Sequence, residues 1–306
     1  MSVDNLTIII PTILGNRASY LIELLDSINT FARRSELKEV VIFVNSDKKV
    51  EKTWDGFDIP IRVEYAKEPR LEFCDSVNTA VSFSTTPLTL IIGDDDLLVQ
   101  KLPKTGALDV KLLFLSFYKN RHRENMACVS KDKEGFDEIS ADELVAAKFG
   151  GNLSSAIGGV IFHTDSYNKI GGLQSMKVSS EPWVDDILWF KLSNSIDKGR
   201  ILISNARYWS YFLNTQDWVG SRAMTIAELV TVSVAVEAEL SCAGIATNQI
   251  VRGRNVFLLG WGLRAFRKRG KLVAWLKLLM LGLCLDAKKI RYFRAFVVFS
   301  VTGRFR

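Results

Sequence analysis

Histidine is almost missing from this 306-residue chain: only His122 and His163 occur. That scarcity excludes a zinc site built from several imidazoles, and it argues against most hydrolases that pair a serine or cysteine nucleophile with histidine. Each of the two is read first as a hydrogen-bonded core or surface residue, so acid–base chemistry falls to carboxylates. Cysteine is scarce too. Cys74, Cys128, Cys242 and Cys284 stand far apart with no C-x-x-C pair, the pattern of reduced, mostly buried thiols in a cytosolic protein. No basic segment followed by a long apolar core opens the chain, so a secretory signal is not expected. Low-complexity tracts and repeats of solenoid period are also lacking.

What is present is an ordinary globular composition, 48% hydrophobic and 24% charged, long enough for one large domain with an appendage. The net charge of +6 conceals a division. Residues 252–306 hold fourteen Lys/Arg against a single acid, Asp286, a net +13, which leaves −7 for residues 1–251. A basic appendage facing an anionic partner is the expectation, attached to a body with a different task.

Along that body, apolar runs alternate with helical periodicity. Leu6–Ile10, Val40–Val44, Ile61–Tyr65, Pro87–Ile92, Val110–Phe117 and Val160–Phe162 read as strands. Ala18–Phe31, Phe73–Phe83, Ala141–Phe149 and Trp183–Leu192 read as helices, the first with Leu21, Leu24, Leu25 and Ile28 on one face, the second with Val77 and Ala80 inward. The alternation predicts an α/β domain with a mixed, mainly parallel sheet. Ligands of such sheets bind beyond the carboxyl ends of the strands, where Pro11–Arg17, Asn45–Lys48 and Gly93–Asp96 gather. From about residue 222 the pattern becomes helical throughout, giving a soft boundary between 1–221 and a helical region 222–306.

Two acidic clusters stand out. Asp94, Asp95 and Asp96 follow the strand Leu88–Ile92 after one glycine. Adjacent carboxylates at a strand end raise one another's pKa values, and a divalent Mg²⁺ or Mn²⁺ relieves the repulsion while sharing its shell with phosphate. Alternation along an extended turn places Asp94 and Asp96 on one side as metal ligands; the alternative is that they cap a helix starting at Leu97. The second cluster, Asp185-Asp186, lies between Pro182 and Trp189. It serves either as a general base for an attacking hydroxyl or as first-turn complement to a helix dipole. Trp183 and Trp189 beside it suit either sugar faces or a core.

Taken in order over about residues 5–215, these segments resemble glycosyltransferase family 2, the inverting enzymes of GT-A (nucleotide-diphospho-sugar transferase) fold. Leu6-Thr7-Ile8-Ile9-Ile10-Pro11-Thr12 resembles the family's opening strand and base-binding loop, and Asp75-Ser76-Val77-Asn78-Thr79-Ala80 the helix with its common asparagine. Leu90-Ile91-Ile92-Gly93-Asp94-Asp95-Asp96 resembles the D-x-D segment. Gly158-Gly159 and Gly171-Gly172 resemble the glycine segments of the acceptor side, and Val184-Asp185-Asp186 resembles the acidic pair whose second member is the base. The first loop is longer than the usual Thr-Tyr-Asn-Arg. The second reads Asn45-Ser46-Asp47 where paired aspartates are common, and Asp185 stands in place of glutamate.

The resemblance implies transfer of a sugar from a nucleotide-sugar, a UDP-sugar first of all, to a glycan or lipid-linked hydroxyl in bacterial surface-polysaccharide synthesis. It assigns Asp186, or else Asp185, to the base, and Asp96 with Asp94 to the metal. Pro11, Thr12, Arg17, Asn45, Asp47, Arg70, Asn78, Asp94 and Asp95 go to the donor, with Arg17, Arg70 and Arg222 as candidates for its phosphates. The tail mixes its cations with Trp261, Trp275, Phe296 and Phe299, and its uncharged stretches, Leu278–Leu285 among them and none longer than nine residues, are far below the ~18 residues of a spanning helix. It is expected to lie on an anionic membrane surface, making the protein cytoplasmic and peripheral on the inner face of the cell membrane; a helical cap on the catalytic domain is the alternative. No nucleic-acid motif accompanies the charge. The rival functions are a sugar-nucleotidyltransferase, disfavoured because its phosphate loop is Gly-rich and only Gly15 lies here, and a catalytically silent binding module of the same fold.

Overall fold

The run Leu-Thr-Ile-Ile-Ile forms the first strand, β1 (Leu6–Thr12), and Ile8, Ile9 and Ile10 are all fully buried. An unbroken apolar run is what a strand covered on both faces requires. The computed structural model describes residues 5–32, 36–49, 57–105, 108–120, 133–150, 153, 157–175, 184–195, 199–212 and scattered positions from 234 to 297. After β1 come α1 (Ala18–Phe31), β2 (Leu37–Val44), β3 (Ile61–Tyr65), α2 (Phe73–Ser82), β4 (Leu88–Ile91), β5 (Leu97–Leu98) and β6 (Val110–Asn120). They are followed by β7 (Phe136–Ile139), α3 (Ala141–Gly150), β8 (Val160–His163), α4 (Thr164–Lys169), α5 (Val184–Asn194) and β9 (Arg200–Phe212).

All nine strands join one mixed sheet in the order β3-β2-β1-β4-β8-β6-β9-β5, with β7 pairing β9. β3, β2, β1 and β4 are mutually parallel; β8 runs antiparallel to both β4 and β6. Alternate residues of the parallel strands serve opposite faces. Leu6, Ile8, Ile10, Val40, Ile42, Val44, Leu88 and Leu90 share a core cluster with Leu21, Leu24, Leu25 and Ile28 of α1. α2 packs on β1 through buried Val77, Ala80 and Val81. Both helices bury the residues expected of their periodicity. The α/β class and the mixed sheet are as expected.

The chain divides into two compact units that do not follow sequence order. One comprises 1–139, 155–174 and 195–218, and carries the whole sheet with α1, α2 and α4. The other comprises 140–154, 175–194 and 219–306, and carries α3 and α5. The expected boundary at 221/222, together with Arg222, Trp183, His122 and nearly all of the basic tail, lies outside the described residues. Cys74 is buried and Cys242 exposed.

Candidate functional site

Parallel strands bring their carboxyl ends to one edge of the sheet, and here that edge is charged. Pro11 shows how it opens. The Ile9 carbonyl accepts from Ile92 N, on the β4 side of β1. Main-chain groups two residues apart along a strand face the same neighbour, so the Pro11 nitrogen faces that side too. β4 ends at Ile91, opposite Ile9, so the missing N–H of Pro11 breaks no ladder bond. Beyond it β4 has turned away into Gly93–Asp96.

That turn is tight rather than extended: Asp96 N donates to the Gly93 carbonyl at 3.0 Å, closing a four-residue β-turn. The extended turn expected of Gly93–Asp96 is therefore a β-turn. Asp94 turns toward β1, where Thr12 Oγ1 donates to its Oδ2 and Arg17 Nη1 to its Oδ1, both at 2.7 Å. Thr12 Oγ1 in turn accepts from Leu14 N at 3.0 Å. This holds Leu14 at φ 54°, ψ −149°, a backbone conformation costing about 1–3 kcal/mol for a residue with a side chain. Burial pushes the Asp94 carboxyl above its usual range; Arg17 and the Thr12 bond oppose that shift, and the charge of Asp95 adds to it.

Asp95 and Asp96 both lie close to Gly93: a methyl group there would sit 3.0 Å from Asp96 Oδ2 and 3.1 Å from Asp95 Oδ1, a tight fit for any larger residue. Asp94 and Asp96 are 2% and 3% exposed. The capping alternative fails because Leu97–Leu98 is a strand, paired with Trp209 and Ser210, and not a helix start. Among the described residues no three His, Cys, Asp or Glu side chains form a self-sufficient metal cage. Asp96, with Asp94 and Asp95 beside it in the same turn, is the carboxylate set that fits a divalent cation. That donor set suits Mg²⁺ or Mn²⁺ completing its shell with phosphate and water.

Several residues expected to touch a donor also make contacts that hold the edge together. Asn45 donates from Nδ2 to the Leu71 carbonyl at 2.9 Å and accepts at Oδ1 from Leu71 N at 2.8 Å, while its own N donates to the Thr12 carbonyl. Its amide is thus committed to closing the loop before α2. Asn78 accepts at Oδ1 from Leu173 N at 2.9 Å and Tyr167 Oη at 2.5 Å, and donates to the Leu173 carbonyl at 2.8 Å. Gly172 follows from this clamp: at φ +66°, a Cβ there would lie 2.3 Å from Asn78 Oδ1. Burial also pushes the Tyr167 hydroxyl far up, so it stays protonated and donates. Arg17, expected on phosphate, pairs with Asp94 through Nη1.

Asp47 and Arg70 remain at the surface, 66% and 85% exposed and 3.8 Å apart; Arg70 adopts φ 69°. The Lys48 ammonium comes 3.2 Å from where a Cβ of Gly15 would be, bringing a cation to the first loop that no sequence spacing identified. Ile13, Tyr65 and Phe73 are exposed apolar residues at the ends of β1 and β3 and the start of α2. Exposure of that kind is invisible to periodicity. Behind the acidic turn, Gly159 (φ +77°) lets the Trp209 ring pass 2.2 Å from its absent Cβ, and Trp209 Nε1 donates to the Leu115 carbonyl at 2.9 Å.

In the second unit, Asp185 and Asp186 occupy the first turn of α5, as expected. Lys148, in the last turn of α3, forms an ion pair with Asp186 Oδ1. Asp186 N donates to Asp185 Oδ1 at 3.0 Å. Burial first, and the Asp186 charge second, push the Asp185 carboxyl well above the usual carboxylate range, with Lys148 opposing. Trp189 is fully buried, which assigns it to the core. α3 is started by a reciprocal cap, in which Glu143 N donates to Ser140 Oγ (3.2 Å) and Ser140 N to Glu143 Oε2 (2.8 Å).

No family model matches the chain, and no curated protein matches it in sequence. Its fold is similar to that of S. aureus TarS. TarS 1–349 in complex with UDP-GlcNAc matches with a TM-score of 0.65 at 15% identity, over 98% of this chain and 92% of that one. The same segment in complex with UDP matches at 0.53, with 15% identity and the same coverage. A longer TarS chain matches at 0.64 and 16% identity over 97% of this chain, which spans only 52% of it. The shared architecture is the GT-A fold.

Proposed function

We propose that this GT-A chain is an inverting glycosyltransferase that moves a sugar from a UDP-sugar to a hydroxyl of a glycan or lipid-linked acceptor, in bacterial surface-polysaccharide assembly. The observation carrying the proposal is the charged edge itself. Asp95 and Asp96 lie close to Gly93, beside the Thr12–Asp94–Arg17 contacts, in a fold whose solved example holds UDP-GlcNAc. Asp96, with Asp94 or Asp95, would hold a Mg²⁺ or Mn²⁺ ion, which when bound neutralises charge on the donor's diphosphate. Lys48 and Arg70 supply further positive charge to the phosphates, and Asp47 with the exposed Tyr65 and Phe73 lies open to the base. The acceptor oxygen attacks the anomeric carbon as the bond to the diphosphate oxygen breaks. The electron pair leaves on UDP, and the hydroxyl proton passes to the Asp186 carboxylate.

Release of UDP from a panel of UDP-sugars, with and without acceptor lipid extract and chelator, tests this reading. Acceptor-dependent, chelator-sensitive UDP release is expected. Pyrophosphate release from a nucleoside triphosphate would establish the nucleotidyltransferase instead, and donor binding without turnover would establish the silent module.

Membrane-surface attachment is the second part of the proposal. Leu276 and Met280, and likewise Phe293 and Val297, are helical, exposed and four residues apart, within a segment of net charge +13. Apolar pairs on basic helices suit an anionic interface. Among the described residues no helix is long and apolar enough to cross a membrane. Flotation with phosphatidylglycerol vesicles is expected for the full chain and lost in Leu276→Asp/Met280→Asp; equal flotation of both would overturn it.

A further inference from the structure

Lys148 has no place in the resemblance that selected the acidic pair, yet its side chain is only 6% exposed and its ammonium lies against Asp186, itself 17% exposed. A lysine in the last turn of a helix ordinarily extends along the surface and complements the helix dipole there. This one turns inward from α3 to the first turn of α5. A buried ammonium is costly unless paired, so the arrangement makes Lys148 and Asp186 mutually dependent. Asp186 Oδ1 is buried with no hydrogen-bond partner among the described residues, and the lysine charge is what faces it. Two adjacent carboxylates cannot both stay ionised cheaply. One cation is placed on the second of them, and the hydrogen bond from Asp186 N to Asp185 Oδ1 fixes the pair relative to each other.

We propose that Lys148 is a positioning residue for the candidate base, holding the Asp186 carboxylate oriented through the ion pair between α3 and α5. The inference rests on the transferase reading above. The Ser140–Glu143 cap sets the start of α3, and Lys148 lies two turns further along the same helix, so the ammonium is carried on a rigid element.

The test is a double-mutant cycle on the full chain with Lys148→Met, Asp186→Asn and the pair, together with Lys148→Arg. Lys148→Met is expected to lower kcat about 100-fold, the low end for losing a general base, with the donor KM within about twofold. The same change in the Asp186→Asn background should have no further effect on kcat, and Lys148→Arg should recover at least a tenth of the lost rate. In denaturant unfolding, Lys148→Met should lower the folding equilibrium constant about 10-fold or more, and the pair should regain most of it. If the kcat losses multiply instead of saturating, or if Lys148→Met leaves kcat unchanged, Lys148 does not act through Asp186 and the proposal is overturned with the transferase intact. If the wild type turns over no donor while the stability cycle still shows coupling, the transferase reading fails, and the ion pair is a packing device.

Discussion

The two ends of the same strands treat buried polar groups in opposite ways. At the amino ends of β1, β2 and β4 the polar groups are mostly neutral hydroxyls that satisfy one another. Thr86 bonds Thr7 at 2.9 Å and the Leu88 carbonyl at 2.7 Å; Thr89 bonds both Ser84 and Thr164 at 2.8 Å; Thr164 donates to the Thr86 carbonyl. The charges there are fully paired. Arg62 holds both oxygens of Glu39 (2.9 and 3.0 Å), one of Glu64 and the Phe83 carbonyl. At the carboxyl ends, carboxylates crowd into one turn, a non-glycine backbone is held at positive φ, and cations stand at the surface. A group satisfied by a neutral neighbour contributes to the fold, whereas carboxylates packed side by side in one turn cost stability that a bound cation would relieve. The difference separates the structural end from the working end.

The contrast can be broken or sharpened by substitution. The largest effect is expected from Asp96→Asn, which should cut UDP-sugar turnover about 1000-fold while changing unfolding free energy by less than about 1 kcal/mol. A thermal melt beside a UDP-release assay reads both, and a stability loss matching the activity loss would make Asp96 a structural residue. Next, Gly159→Ala should destabilise by about 3 kcal/mol or more, because the added Cβ meets the Trp209 ring in a backbone conformation that penalises side chains; urea unfolding measures it. Asp94→Leu alone removes the carboxylate that Arg17 pairs with and should cost up to about 3 kcal/mol, most of it recovered in Asp94→Leu/Arg17→Met. At the other end, Thr89→Val/Thr164→Val removes both hydroxyls of one bond and should shift stability by about 1 kcal/mol or less, with turnover unchanged.

The smallest effect concerns pH. Burial alone would raise the Glu39 carboxyl, but the Arg62 and Thr85 bonds and the nearby charges hold it below its ordinary value. A lowered folded-state pKa means the folded protein binds that proton less tightly than the unfolded chain. The stability it supplies is therefore present above the ordinary carboxylate range and is lost as pH falls through the folded value. Glu39→Gln should melt lower than wild type near neutrality, with the gap closing toward acid.

Legibility in the sequence differed by element. β1 and the two helices flanking the parallel strands were readable because their burial pattern is local: a continuous apolar run, or apolar residues three and four apart. β9 was missed although it is the longest strand. Its register against β6 shifts three times, so no simple alternation survives. The two-residue β5 exists only through its pairing with Trp209 and Ser210. In the site, the sequence singles out Asn45 and Asn78 as donor contacts; what it does not show is that their amides tie Leu71 and Leu173. An asparagine's type shows that it will hydrogen bond, and only the fold shows to what.

The acidic triplet shows the same division. Sequence by itself determined that three carboxylates follow a buried strand after a glycine, at the edge where parallel sheets bind ligands. Adjacency in the chain is covalent and strand burial follows from composition. Tertiary structure alone decided that Asp94 turns to Thr12 and Arg17 while Asp95 and Asp96 lie close to Gly93. It likewise decided that Lys148 reaches Asp186 across 38 residues of sequence. Which charges meet depends on turn geometry and on helices packed from distant parts of the chain, and no local pattern encodes that.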